Sequence, residues 1–351
     1  MSVSVRDKIL GSLVAAAIGD AMGAPTEQMT LDEIKGRFGG RLVDRFYAPS
    51  EDRPFSHGRL AGQITDDTGQ MLELARAFIE AGTDPITPQQ VADALLRWAA
   101  DPEVFSRFAG PTTRQAIERL RAGEDPLSVG RSGTLSTIGT SNGCAMKVAP
   151  AGLIHPGDPD SAVRDACTVC MPTHATQIAM SGASAIASGI SAALAPGADV
   201  FSVVRACLYG AREGEKRGRA VGRVAPGPSV EARIRLAVRL ALESSDVEDA
   251  CRSIHAYVGS GLHTAEAVPA AVGLFVAAGG DPAMAVAAGA SIGDDTDTVA
   301  TMAGALAGAL GGISRVPADL YRQVEEVNHL DIAGLADEIY SLAIRLHPAQ
   351  A

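Results

Sequence analysis

Aromatic side chains are scarce in this chain of 351 residues: Phe, Trp and Tyr together make up 4% of it, with one Trp. An interior stacked from rings is thereby excluded. Ala and Gly are abundant instead, and small side chains let helix axes approach closely, so the expected core is helical and built on Ala, Leu and Val. Strand alternation is nearly missing as well; Arg41-Leu-Val-Asp-Arg-Phe-Tyr47 is the best short candidate. Cysteine is sparse. Cys144, Cys167, Cys170, Cys207 and Cys251 are an odd number in a long chain, and they read as reduced thiols of a cytoplasmic protein. Cys167-Thr-Val-Cys170 is a lone CxxC with no second pair to complete a zinc site, and is read as buried thiols on a helix.

Positive charge is in deficit too. Thirty Lys+Arg against forty-one Asp+Glu leave a net charge of −11, which argues against a nucleic-acid backbone or an anionic membrane as the main partner. A local basic pocket is still allowed. The apolar stretch near the N-terminus follows Arg6, Asp7 and Lys8 and ends at Asp20. No apolar run is expected to reach the roughly 18 residues that span a bilayer, and no signal peptide is expected. A content of 46% apolar and 20% charged residues marks a globular chain. Flexible linkers and internal repeats are absent, so residues 1–351 are read as a single domain.

What the chain does have is helical periodicity. Met71, Leu72, Leu74, Ala75 and Phe78 follow i, i+3, i+4 spacing. Similar patterns place helices at 4–22, 67–81, 88–99, 111–122, 174–194, 198–213, 229–243, 246–257, 264–277, 281–290, 296–310, 319–327 and 333–346. An all-α bundle follows. Residues 48–64, 123–145 and 214–228 read as loops. The last of these, with Lys216, Arg217, Arg219 and Arg223 among glycines and prolines, reads as an exposed loop or a lid over a site.

Two acidic clusters carry most of the chemical information. Thr65-Asp66-Asp67-Thr68 and Asp294-Asp295-Thr296-Asp297-Thr298 each open an apolar helix. One such residue suffices for an N-cap, where negative charge is favourable. Capping with solvent exposure therefore remains one reading. Clustered carboxylates in apolar surroundings repel one another unless a cation compensates them, and this supports the other reading, a metal site. Its ligands would be hard oxygens, which favour Mg²⁺, Mn²⁺ or Ca²⁺. EF-hand spacing is absent. Asp66, Asp67, Asp295 and Asp297 together would balance two divalent ions, and such a pair can orient vicinal hydroxyls and activate water.

Five motifs, in order, resemble those of the ADP-ribosylglycohydrolase family. They are Gly11-Ser-Leu-Val-Ala-Ala-Ala-Ile-Gly19-Asp20-Ala-Met-Gly23-Ala-Pro-Thr-Glu27, Thr65-Asp66-Asp67-Thr68, Ser141-Asn142-Gly143-Cys-Ala-Met146-Lys147-Val-Ala-Pro150, Thr173-His174, and Asp295-Thr-Asp297-Thr298. The resemblance implies an all-α fold with a binuclear magnesium or manganese centre in a central cleft. Its implied ligands are Thr65, Asp66, Asp67, Asp295, Asp297 and Thr298. Glu27 would sit beside the metals. The loop of Ser141, Asn142, Gly143, Met146 and Lys147 would meet the diphosphate or ribose, and His174 would contact ligand from its helix start.

The implied activity is hydrolysis of a glycosidic bond at ribose C1″, with ADP-ribosylated protein or a small ADP-ribosyl compound as substrate. Attack by water needs a carboxylate to take a proton, and Asp67 and Glu27 are the candidates. Lys147 stands where Arg is usual, Asp294 where a second Gly is common, and Ser141 replaces a common Gly. Lys lacks the bidentate fork that Arg gives a diphosphate. A metal-dependent N-ribohydrolase acting on free nucleosides is therefore a second reading, and a non-catalytic ADP-ribose-binding or structural member a third. Asp20 is expected to hold the segment that presents Glu27. His57 reads as a loop residue or a lid contact, and His263 lies in a glycine-rich turn that could approach the ribose or adenine. His155, His255, His329 and His347 have no accompanying constellation and no assigned role.

Overall fold

The computed structural model describes residues 3–51, 58–82 and 85–348. Among them are eighteen α-helices, which we number in chain order. The first half contains α1 (Val5–Gly23), α2 (Leu31–Arg37), α3 (Asp66–Ala81), α4 (Pro88–Trp98), α5 (Pro102–Phe108), α6 (Pro111–Arg121), α7 (Pro126–Gly130), α8 (Ala149–Leu153) and α9 (Pro159–Cys170). The second contains α10 (Gln177–Leu194), α11 (Val200–Val221), α12 (Val230–Glu243), α13 (Val247–Tyr257), α14 (Thr264–Ala277), α15 (Pro282–Gly289), α16 (Thr296–Gly311), α17 (Ala318–Asn328) and α18 (Ile332–Leu346). The described residues form no strand, only the isolated bridges Ser141–His263 and Thr176–Arg223. The all-α expectation holds. Arg41–Tyr47 runs without a ladder partner, and Val43 N instead donates to Ser291 Oγ at 2.8 Å.

The small residues do the packing that the composition suggested. α1 is buried from Lys8 to Gly23 and lies against α16 with almost no side chain between them. A methyl group on Gly19 would fall 2.5 Å from Ala300 C, and one on Gly308 would fall 2.5 Å from Gly11 C. Real side chains cannot approach so closely, so the crossing requires glycine on both helices. It sets the C-terminal end of α1 over the N-terminal end of α16, where the second acidic cluster lies.

The same device overturns the first part of the loop or lid expected over 214–228, while residues 222–228 do lie outside the helices. α11 continues to Val221 because Gly214 and Gly218 face α10, with added methyl groups 2.5 Å from Ser184 Oγ and from Gln177 Cα. These glycines serve close helix packing, not a turn. Lys216 pairs with Glu213 at 3.5 Å and Arg219 with Glu215 at 2.7 Å, so both bases sit on the wet face of a helix.

The expectation about apolar length also needs correction. Val5–Thr26 and Gln177–Leu194 are each long and apolar enough to cross a membrane by length and composition. In this fold both are core helices, buried along nearly their whole length. All five cysteines are buried and free, with Cys167 and Cys170 on α9. Burial pushes the Cys167 thiol up to about 11 and those of Cys207 and Cys251 up to about 12, which keeps them protonated and unreactive.

Candidate active site

A cavity of about 590 Å³ opens where α1, α3 and α16 present their ends. Its wall includes Glu27, Thr65, Asp66, Asp67, Ser141, Asn142, Gly143, Met146, Asp295, Asp297 and Thr298. These come from four distant stretches of sequence.

The first cluster is positioned by Asp20. Its carboxylate accepts from Thr65 N at 2.9 Å and from Thr68 N at 3.0 Å. Asp20 therefore caps α3, and is not the support of Glu27 that its place in the sequence suggested. Thr65 is the N-cap of α3, its Oγ1 accepting from Asp67 N at 3.3 Å. Asp66 accepts from Gln70 Nε2 at 3.2 Å, one turn along the helix. Asp67 Oδ1 is buried without a hydrogen-bond partner among the described residues.

The second cluster is tied to the end of α1. Gln28 N donates to Asp294 O at 2.8 Å, and Asp294 N donates to Met29 O at 2.9 Å. Both Gln28 (φ 61°) and Asp294 (φ 65°) take the left-handed backbone conformation to make this exchange. Thr296 Oγ1 donates to Gly23 O at 3.0 Å and so faces the helix junction. As a result Glu27, Asp295 and Asp297 offer carboxylate oxygens within 4.8 Å of one another. Asn142 donates its side-chain amide to Asp295 Oδ2, joining the third stretch to the second cluster.

Burial, with mutual repulsion added, raises the titration of the five carboxylates that line the cavity. Burial, then Asp295 and Asp66, push Glu27 up to about 8. Burial, then Asp20, pushes Asp66 up to about 7. Asp67, Asp295 and Asp297 are raised chiefly by burial as well. Such a cluster needs protons or cations to offset it. The donor set is all hard oxygen, from five carboxylates and the hydroxyls of Thr65 and Thr298, and Asp67 Oδ1 has no protein partner. That chemistry suits Mg²⁺ or Mn²⁺ and could hold either.

Two residues expected to touch ligand stand behind the wall. Lys147 is 1% exposed, does not line the cavity, and donates Nζ to Gln70 Oε1 at 2.7 Å. Gln70 in turn donates Nε2 to Asp66, so the ammonium is linked through Gln70 to the first acidic cluster. His174 is fully buried, with Nε2 2.9 Å from Ser141 Oγ and Nδ1 2.7 Å from Thr173 Oγ1. It supports the Ser141–Gly143 loop from below. His263 caps α14, accepting from Ala265 N at 3.1 Å, while its neighbour Leu262 lines the cavity. His57 lies outside the described residues.

Sequence reasoning missed a whole wall. Ser106, Arg107, Phe108, Thr112, Thr113 and Arg114, from the α5–α6 corner, line the same cavity as the carboxylates. They bring the cationic groups and the ring that the acidic side lacks. Arg59 was missed too. It is nearly buried, donates to the carbonyls of Gln63 and Ile64, and stacks its guanidinium 5.0 Å over the Phe108 ring. Gln70, four residues after Asp66, could have been found from helical spacing.

A sequence model of the ADP-ribosylglycohydrolase family matches residues 1–349. The uncharacterized protein YegU of Escherichia coli is 33% identical over 93% of this chain and 94% of its own. An ADP-ribosylarginine hydrolase, Tri1 of Pseudomonas putida, is 27% identical over 96% of this chain and 79% of its own. The ADP-ribosyl-[dinitrogen reductase] glycohydrolase of Rhodospirillum rubrum is 32% identical over 44% of this chain and 48% of its own. A solved structure described as an ADP-ribosylglycohydrolase-related protein complex superposes with a TM-score of 0.67 at 23% identity, covering 97% of this chain and 99% of that one, and so shares the fold. The chain belongs to the ADP-ribosylglycohydrolase family and is a hydrolase of that glycosidase type.

Proposed function

We propose that this protein is a divalent-cation-dependent hydrolase that frees ADP-ribose from an arginine-type nitrogen by cleaving the bond at ribose C1″. The convergence of Thr65, Asp66 and Asp67 with Asp295, Asp297 and Thr298 on one wall, beside Glu27, carries this reading. The names of the Tri1 relatives point to the arginine acceptor. Arg107 on the cavity wall supplies positive charge for a diphosphate, whereas Arg114 is held by the carbonyls of Phe105, Ser106 and Ala109. Arg107 thus favours an ADP-ribosyl substrate over a free nucleoside.

Thr65, Asp66, Asp67, Asp295, Asp297 and Thr298 would hold two Mg²⁺ or Mn²⁺ ions. When bound, such ions supply Lewis acidity to ribose hydroxyls and lower the pKa of water. Glu27 takes the proton of the attacking water as its oxygen bonds to C1″ and the C1″–N bond breaks, and the proton returns to the leaving nitrogen. Asp67 orients the attacking water through its free oxygen. The carboxylates also offset positive charge developing on the ribose. Asn142 fixes Asp295, and Gly143 lets the loop pack on the buried His174 ring, which a methyl group there would meet at 3.1 Å.

The test is release of ADP-ribose from ADP-ribosylarginine, from ADP-ribosylated protein and from O-linked ADP-ribosyl compounds, and of base from nucleosides, with Mg²⁺, Mn²⁺ or chelator. Cation-dependent turnover of the arginine-linked substrates alone is expected. Turnover of nucleosides only, or undiminished activity in chelator, contradicts the proposal.

A further inference from the structure

His155 and His347 lie 192 residues apart and have no sequence motif in common, yet the fold brings them together, with His155 Nδ1 2.8 Å from His347 Nε2. Asp158, whose backbone N–H donates to His155 O at 3.1 Å, completes a trio. One ligand atom from each of His155, Asp158 and His347 lies within 4.8 Å of the other two. The geometry points to a second metal site, built from two imidazoles and a carboxylate, for a borderline divalent transition ion of the zinc class.

Three observations separate this cluster from a chance meeting. His155 is fully buried, and its other ring nitrogen, Nε2, is 2.8 Å from the equally buried Asp165 Oδ2. A carboxylate on the second nitrogen is the arrangement that fixes the tautomer and orientation of metal-binding histidines. It leaves Nδ1 as the lone-pair nitrogen facing His347. The backbone of His155 is also immobilised, since Ser191 Oγ on α10 donates to its carbonyl at 2.5 Å and Gly157 N donates to Ser191 O at 2.9 Å. Asp158 is the N-cap of α9 and uses Oδ1 for that purpose, accepting from Ser161 N at 3.1 Å.

The site is open on one side. His155 is buried, whereas Asp158 and His347 are half-buried, so water can complete a four-coordinate shell. Two zinc-bound nitrogens stand about 3.3 Å apart in tetrahedral geometry, given Zn–N bonds of 2.0–2.1 Å. A small outward shift of His347, the C-cap of α18, reaches that spacing. Imidazole ligands select zinc, cobalt, nickel or copper over magnesium, so this site and the all-oxygen cavity take different ions. An ion here would tie the end of α18 to the start of α9.

Co²⁺ titration of the full-length Asp66→Asn, Asp297→Asn variant tests the proposal, because that background removes carboxylates from the cavity. We expect one equivalent of Co²⁺ with ligand-field absorption of nitrogen–oxygen coordination. His347→Ala should weaken it by more than about 100-fold, beyond the 10–100-fold typical of losing an outer-shell partner. Asp158→Asn should weaken it at least about 10-fold, although Asn caps a helix as well as Asp does. In the unmodified cavity, Zn²⁺ should raise the melting temperature of the wild-type chain, and His347→Ala should abolish that part of the rise. Absence of a Co²⁺ spectrum, or a spectrum and affinity unchanged by His347→Ala, overturns the assignment and leaves a histidine pair held by a shared proton.

Discussion

Gly23 rests directly on the backbone of Asp297, so that a methyl group at residue 23 would sit 2.5 Å from Asp297 N. This contact fixes how far Glu27, four residues beyond, stands from the second acidic cluster. Gly23→Ala should therefore separate α1 from α16 at the site. We expect a loss of about 1–3 kcal/mol from overpacking, measured by denaturant unfolding, together with weaker Mg²⁺ binding measured by calorimetry. Unchanged Mg²⁺ binding would show that the junction does not position the carboxylates.

Glu27→Gln should move activity and stability in opposite directions. Turnover should fall by about 10²–10⁴-fold, the usual contribution of a general base, while ADP-ribose still binds. Above pH 8, where the Glu27 carboxyl of the chelated protein is ionised, removing its charge relieves repulsion, so the chelated variant should melt at a higher temperature than the chelated wild type. Steady-state kinetics and thermal unfolding in chelator check the two halves separately.

The raised carboxylates give the chelated protein a distinctive pH dependence. Glu27 moves from its ordinary value of 4.5 up to about 8, and Asp66 from 3.8 up to about 7. The folded state thus binds more protons than the unfolded state between those limits, and stability falls as pH rises through them. Cations compete with those protons. The stabilisation produced by Mg²⁺ should therefore grow from pH 5 to pH 8, in the window these shifts define. Melting temperatures with Mg²⁺ and with chelator across that range check this, and a constant gap contradicts it.

Lys147 and Arg107 should separate cleanly. Lys147→Met strands Gln70 Oε1 and should cost about 1–3 kcal/mol of stability, with KM for an ADP-ribosyl substrate unchanged. Arg107→Ala removes a cationic group from the cavity wall and should raise that KM about tenfold. The reverse pattern would restore Lys147 to the phosphate side.

The acidic clusters were legible because clustered carboxylates at helix starts exceed what capping needs. Their meeting was legible only through the family resemblance, since physically it depends on glycines such as Gly19 and Gly308 whose role appears only when two helices cross. For the same reason Gly214 and Gly218 read as loop residues although they extend α11. Helix periodicity located most long helices but not α2, α5, α7, α8 or α9, which are short or begin with proline after a capping residue. Arg59 and the α5–α6 wall carried no local signal, because only the fold brings the α5–α6 corner into the cavity of the carboxylates and Arg59 against Phe108. His155 and His347 became a pair only through tertiary folding.

Calorimetric titration with Mg²⁺ of the wild-type chain and of Asp66→Asn, Asp297→Asn bears most directly on the proposed cation centre. The two substitutions neutralise one carboxylate from each cluster while keeping the shape of both side chains. Two Mg²⁺ equivalents in the wild type, with binding lost in the double variant, is the predicted outcome. Equal binding by both proteins would contradict a cation centre shared between the ends of α3 and α16.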